Sequence, residues 1–348
     1  MSLLVARTAG DPRRRGTAVG EAFAEPIARS LDFYRGFLGR RGIRAQDLPR
    51  LLGPYRDAAV SALPDLVAEI DGLAEGAGAP WWELFALNAF EELEPMLALS
   101  APTERCTAFA VAGPEGTLLA HNELWYAGDA GNVGVVVAEP DPGPWFASPT
   151  VVTCLPAVGM NGAGVAQAIM SLTADDDTVG VPRVLVSRHG LQAGGIDDGA
   201  QRAAIPGRAG GYGHLLAERG GRAATLETSA SGVAVLEGVT AHANHYLDPT
   251  LAASAPAAST GSVARLERVR ELIADRAPAG PEDATAILAD HGGGGPETIC
   301  LHPEDGEGDE ASATLFALVC HLESGRMWVA PGNPCRVPFE EVALGEVA

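Results

Sequence analysis

Cys106-Thr107-Ala108-Phe109-Ala110-Val111 runs into the turn Gly113-Pro114-Glu115-Gly116, and Thr117-Leu118-Leu119-Ala120-His121-Asn122-Glu123-Leu124-Trp125-Tyr126 runs out of it. Two apolar runs flanking a Pro/Gly turn read as a β-hairpin. A cysteine then heads one strand, with a His-Asn-Glu group near the end of its partner. A packing cysteine usually sits mid-strand among apolar neighbours. Cys106 instead follows the polar stretch Pro102-Thr103-Glu104-Arg105. Its position suits a nucleophile and the first residue of a processed subunit. Taken alone, the residue would serve equally as buried packing.

On either side of the hairpin the texture of the chain differs. Before it, apolar residues recur at helical steps (Phe23, Ile27, Leu31, Tyr34, Leu38, then Leu63, Leu66, Val67, Ile70, Leu73), and Pro80 starts a third helix at Trp81. Residues 1–100 read as mainly helical. Arg13-Arg14-Arg15 reads as a solvated turn, and Glu91, Glu92 and Glu94 as a solvated face. After the hairpin, short β-rich runs at 133–139, 150–155, 165–170, 213–217, 223–228 and 233–237 are separated by Gly, Pro and Asp. Helices are expected at Pro182–Ala193, continuing to Arg202, at Ser262–Arg276 and at Glu282–His291. Thr298–His302 reads as a strand, and Ala313–Leu322 with Gly325–Ala330 as a closing hairpin. Helices first, then mixed elements, indicate an α+β fold.

Bulk numbers exclude several functions. The 348 residues are 47% hydrophobic and 20% charged, enough for a sizeable core. A net charge of −21 argues against nucleic acid or an anionic membrane surface as partner. Every basic residue is arginine, which excludes a catalytic lysine, a lysine Schiff base and a lysine-bearing phosphate loop. The five cysteines (Cys106, Cys154, Cys300, Cys320, Cys335) are widely spaced without a CxxC pair, so sequence spacing suggests neither zinc nor a disulfide framework. Cys154, Cys300 and Cys320 read as buried packing. With no signal-like apolar stretch at Met1–Arg7 and no bilayer-length apolar run, the cytoplasm is the expected location.

Acyl transfer needs a nucleophile, a base and oxyanion donors. A free N-terminal cysteine supplies the first two, because its α-amino group, with a pKa near ~8, accepts the thiol proton. Asparagine amides are neutral oxyanion donors, and Asn244 and Asn122 are the candidates. His242 and His245, three apart on a strand, would point to opposite faces, and no third ligand is spaced with them. A Cys–His peptidase pairing Cys106 with His121 or His242 remains an alternative.

The Cys106–Phe109 start, the hairpin, His121-Asn122-Glu123-Leu124-Trp125, Gly159-Met160-Asn161-Gly162-Ala163-Gly164, Gly180-Val181-Pro182-Arg183, His242-Ala243-Asn244-His245-Tyr246 and Thr298-Ile299-Cys300 occur in this order. Together they resemble the N-terminal-nucleophile (Ntn) hydrolases, and within them the acyl-CoA:6-aminopenicillanate acyltransferase family. The resemblance implies a four-layer αββα sandwich and a precursor that cuts itself at Arg105–Cys106. A helical fragment 1–105 would stay packed on a catalytic fragment 106–348 as one globular unit. It implies Cys106 as nucleophile, Asn244 as oxyanion donor and Asn122 in support. His121, Glu123, Trp125, His242 and His245 are the expected substrate contacts. Leu124 stands where relatives usually carry an aspartate. Glu123, one residue earlier, should face the other way on a regular strand. The implied partners are a small acyl donor, acyl-CoA included as a substrate, and an amine acceptor; no cofactor or metal is expected. Homo-oligomers occur in the family. The alternative to an enzyme is an unprocessed binding member, motivated by Leu124.

Overall fold

A computed structural model describes residues 3–97, 106–292, 294, 297–303 and 308–344. The chain opens on strand β1 (Val5–Gly10), then α1 (Pro12–Ala22) and α2 (Ala24–Arg40). Next come α3 (Leu48–Ala62), α4 (Pro64–Ala77), α5 (Trp81–Leu87) and the single turn α6 (Phe90–Leu93). The hairpin is β2 (Cys106–Gly113) and β3 (Gly116–Tyr126), as its sequence indicates. Strands β4 (Val133–Pro140), β5 (Phe146–Val151), β6 (Gly159–Asn161) and β7 (Val165–Leu172) follow, with helices α7 (Arg183–Gly190) and α8 (Ile196–Ala203) after them. Then come β8 (Gly211–Glu218), β9 (Ala223–Thr228), β10 (Val233–Glu237) and the two-residue β11 (Ala241–His242). The chain closes with α9 (Pro249–Ala252), α10 (Thr260–Arg276), α11 (Pro281–Leu288), β12 (Ser312–His321), β13 (Arg326–Ala330) and β14 (Glu340–Glu341).

Two sheets stack between helices. One has eight strands in the order β1-β4-β5-β6-β7-β8-β9-β10, the other six in the order β11-β2-β3-β12-β13-β14. Ala108, Val135, Met160, Leu215 and Leu318 fill the space between them. Phe109, Leu266, Val269 and Ile287 join the six-stranded sheet to α10 and α11. Val136 and Phe146 meet Phe23 and Ile70 beyond the eight-stranded sheet, where Ile196 and Ala203 cover Leu226. The αββα sandwich implied by the resemblance is therefore the observed architecture.

Glycine decides how the N-terminal helices pack. A Cβ on Gly16 would lie 2.0 Å from the Glu69 carbonyl oxygen, and one on Gly72 would lie 2.1 Å from that of Arg13. Only bare backbone lets α1 and α4 approach this closely.

Several expectations are corrected. The N-terminal stretch is a strand, β1, paired parallel to β4, so the first hundred residues are not wholly helical. Arg13–Arg15 lie in α1, capped by the Asp11 carboxylate, and Arg15 is buried against Glu69 at 2.7 Å. Glu92 is buried and Glu91 half-buried rather than solvated, because Arg183 pairs with Glu92 at 2.8 Å while Tyr212 and Ser171 donate to Glu91. The strand expected at 150–155 is Phe146–Val151, and the helix expected to continue past Ala193 is broken into α7 and α8. Residues 298–302 form no strand: Leu301 and Thr314 exchange only two bonds, one of them through the Thr314 hydroxyl.

Candidate active site

Register builds the site. Cys106 pairs directly with Glu123 across β2 and β3. Cross-strand partners share a face of the sheet, and His121, two residues before Glu123, shares it too. The thiol, an imidazole nitrogen and a carboxylate oxygen of these three residues lie within 4.8 Å of one another. His121 Nε2 is 2.9 Å from Glu123 Oε2. The expectation that Glu123 turns away from the nucleophile is therefore overturned, because it is the residue opposite Cys106. Leu124 takes the other face by alternation. A strand irregularity does occur nearby, but it lies in β12 between Thr314 and Phe316 and leaves the β2–β3 register intact. Arg105 lies outside the described residues.

Cys106 is buried at the start of β2. Burial pushes its thiol well above the ordinary range, and the Glu123 carboxylate adds to the shift. A thiol so placed is protonated at neutral pH and needs a base close by to act as a nucleophile.

The pairing of β11 with β2 ends at His242–Ala108, and the chain then turns. That turn carries Asn244 to Cys106, whose backbone N–H donates to Asn244 Oδ1 at 2.9 Å. Helix α10 fixes the amide from two residues one turn apart. The Asn244 backbone N–H donates to Ser262 Oγ at 2.8 Å, and Arg265 Nη2 donates to the side-chain Oδ1 at 2.9 Å. Arg265 also reaches Thr107 Oγ1 at 3.3 Å. With Oδ1 held by donors, Asn244 Nδ2 donates to the Ser171 carbonyl at 3.2 Å. Ser262 and Arg265 were missed in the sequence. Their spacing with Val269 and Leu272 is the available signal, since 262, 265, 269 and 272 are the buried stripe of α10.

The remaining candidates separate. Asn122 lies on the opposite face from Cys106, where its Nδ2 donates to the carbonyls of Leu288 (2.8 Å) and Ile299 (2.9 Å). The expected placement beside the nucleophile is corrected, because alternation along β3 sends Asn122 toward α11. His242 is fully buried with Nε2 2.7 Å from Glu227 and Nδ1 2.6 Å from the Ala243 carbonyl, so both nitrogens are engaged away from Cys106. Glu227 also accepts from the Leu247 and Asp248 amides and pins the turn. His242 and His245 do not point apart. Their rings stack with centroids 6.4 Å apart, because the strand ends at His242. His245 bonds Ser262 Oγ at 2.7 Å, and burial lowers its pKa to about 4.

Glu123 and Trp125 line a cavity between the layers, walled by Phe90, Leu155, Val158 and Ile169, with Glu91 and Tyr212 as polar groups. The Trp125 indole donates to the Tyr34 hydroxyl of α2, so the N-terminal helices shape this wall.

The chain belongs to the acyl-coenzyme A:6-aminopenicillanic acid acyl-transferase family, whose model matches residues 111–336. Among solved structures it is similar to penicillin V acylase from Agrobacterium tumefaciens, at a TM-score of 0.47 and 14% identity over 65% of this chain and 83% of that one. It is also similar to a mutant conjugated bile acid hydrolase from Clostridium perfringens, at a TM-score of 0.45 and 11% identity over 69% of this chain and 97% of the other. No curated protein sequence matches it. Among the described residues no helix is long and apolar enough to cross a membrane.

Proposed function

We propose that the chain is an N-terminal-nucleophile cysteine amidohydrolase or acyltransferase acting on a small N-acyl amide or acyl thioester. The observation that carries this reading is the 2.9 Å bond from the Cys106 nitrogen to Asn244 Oδ1, made at a buried strand start directly opposite Glu123. In a processed chain that nitrogen is an α-amino group, held beside its own thiol.

Processing begins when the Cys106 thiol adds to the Arg105 carbonyl. The N-to-S shift breaks the Arg105–Cys106 amide, forms a thioester and frees the amino group. Water then splits the thioester, leaving a carboxylate on Arg105 and a thiol on Cys106. Fragments 1–105 and 106–348 stay assembled because β1 is hydrogen-bonded within the same sheet as β4. In turnover the Cys106 α-amino group takes the thiol proton while sulfur attacks the substrate carbonyl. Asn244 Nδ2 stabilises the oxyanion, and the α-amino group returns its proton to the leaving group. Water resolves the acyl-enzyme in hydrolysis; an amine resolves it in transfer. Glu123 supplies the carboxylate beside the amino group that Leu124 lacks, and the apolar cavity takes the acyl chain, from an amide or from acyl-CoA.

Intact mass of the purified protein tests the reading. Two fragments split before Cys106 are expected, and Cys106→Ala should give one chain without turnover. A single full-length chain whose Cys106 resists alkylation would leave a binding member of the family instead. Retained turnover in Cys106→Ala would refute the nucleophile assignment.

A further inference from the structure

Far from Cys106 in sequence, four side chains of metal-ligating type meet at one point: His291, Cys300, His302 and Cys335, with one nitrogen or sulfur of each within 4.8 Å of the others. The sulfurs of Cys300 and Cys335 are 3.7 Å apart, and the two histidine Nε2 atoms 3.0 Å apart. His302 Nε2 lies 3.7 Å from Cys300 Sγ and 3.0 Å from Cys335 Sγ. A tetrahedron with Zn–S about 2.3 Å and Zn–N about 2.0 Å sets its sulfurs about 3.8 Å apart, sulfur to nitrogen about 3.5 Å, and its nitrogens about 3.3 Å. The observed separations follow that pattern. A disulfide would need its sulfurs about 2.0 Å apart, and both cysteines are free thiols.

We infer that His291, Cys300, His302 and Cys335 form a closed, structural Cys2His2 zinc site. Two soft thiolates and two imidazoles in tetrahedral array are the ligand set zinc favours, and four protein ligands leave no open position for a substrate. Binding displaces the two thiol protons, so Zn2+ and two thiolates make a neutral centre. Asn333 Nδ2, 3.9 Å from Cys300 Sγ and 2.7 Å from the Leu301 carbonyl, orients this segment in the manner of an outer-shell donor.

The site ties together chain that little regular structure holds. His291 follows α11, Cys300 and His302 lie in the irregular stretch before β12, and Cys335 lies between β13 and β14. The same loop is gripped from the sheet side by Asn122, whose amide bonds Leu288 and Ile299. Zinc therefore clamps the outer side of the loop braced by the strand that carries Glu123.

Elemental analysis by mass spectrometry, on full-length protein purified under reducing conditions and dialysed against zinc, tests the site. About one zinc per chain is expected in the wild type and in Cys106→Ala, and less than a tenth of that in Cys300→Ser/Cys335→Ser. Because that double variant could lose zinc by misfolding, Co2+ exchanged into wild-type protein provides a second measurement. It should show the strong visible absorption of tetrahedral cobalt and a near-ultraviolet thiolate-to-metal band. Wild-type protein without stoichiometric zinc, octahedral cobalt, loss of the metal in Cys106→Ala, or a Cys300–Cys335 disulfide that persists in reductant would overturn the proposal.

Discussion

Glu123 and Asn244 reach Cys106 by different routes, and each makes a separate prediction. Glu123 is placed by strand register, so its carboxylate is fixed opposite the thiol. Replacing it with glutamine removes a negative charge that helps hold the thiol pKa up. The pH midpoint of Cys106 alkylation in Glu123→Gln should therefore move down. Turnover should still fall about 10²-fold if the proposed α-amino base relies on the carboxylate at Glu123. Unchanged turnover would mean that no carboxylate is needed here. Asn244 is placed by Ser262 and Arg265 of α10. Asn244→Ala should cost about 10²–10³ in kcat, the usual loss of one oxyanion donor. Arg265→Met should reproduce part of that loss with the amide still present, read as a lower kcat at little-changed KM. Cys106, Asn244 and Glu123 were legible in the sequence as residue types. The direction each faces was not: alternation was applied to Glu123 without knowing which β3 residue stands opposite Cys106, and to His242 and His245 without knowing that their strand ends after two residues.

At the scale of elements, the close seam between α1 and α4 depends on glycine. A methyl group on Gly72 would fall 2.1 Å from the Arg13 carbonyl, far inside contact distance, and backbone cannot swing aside as a side chain can. Gly72→Ala should destabilise the protein by about 3 kcal/mol, at the upper end of overpacking costs, and is checked by urea unfolding. Gly39→Ala is the control, since a Cβ there meets nothing within 4 Å and its stability should change little. Helices with a clear apolar stripe and strands bounded by Gly and Pro were read from sequence close to their observed limits, α10 and the β2–β3 hairpin among them. Elements whose formation depends on a distant partner were misread. β1 exists because β4 offers an edge, and Arg15 and Glu92 are buried because oppositely charged groups arrive from other elements.

At the scale of the whole molecule, the sandwich buries titratable groups that respond to acid. His214 lies on β8, fully buried, with neither ring nitrogen hydrogen-bonded among the described residues, and burial lowers its pKa to about 3. An unfolded histidine titrates near ~6.5, so between that pH and about 3 the unfolded chain binds the proton and the folded chain does not. Stability should then fall as pH drops below about 6.5. The loss attributable to this one residue is about 2 kcal/mol by pH 5. His214→Leu, which keeps an apolar side chain in the same place, should flatten the decline in Tm between pH 7 and 5; an unchanged slope would count against the assignment.

The sequence by itself determined the fold class and singled out Cys106 as the candidate nucleophile. Hydrophobic periodicity and turn residues are local signals, and the order of short motifs around Cys106 and Asn244 survives in the linear chain. Only the tertiary structure decided which polar groups face one another. Strand register set Glu123 across from Cys106, α10 aimed Asn244, and β3 turned Asn122 away. The gathering of His291, Cys300, His302 and Cys335 at one point belongs to the same class. Their spacing along the chain carries no metal motif, because Cys335 follows β13 of the six-stranded sheet while the other three come from the chain between α11 and β12.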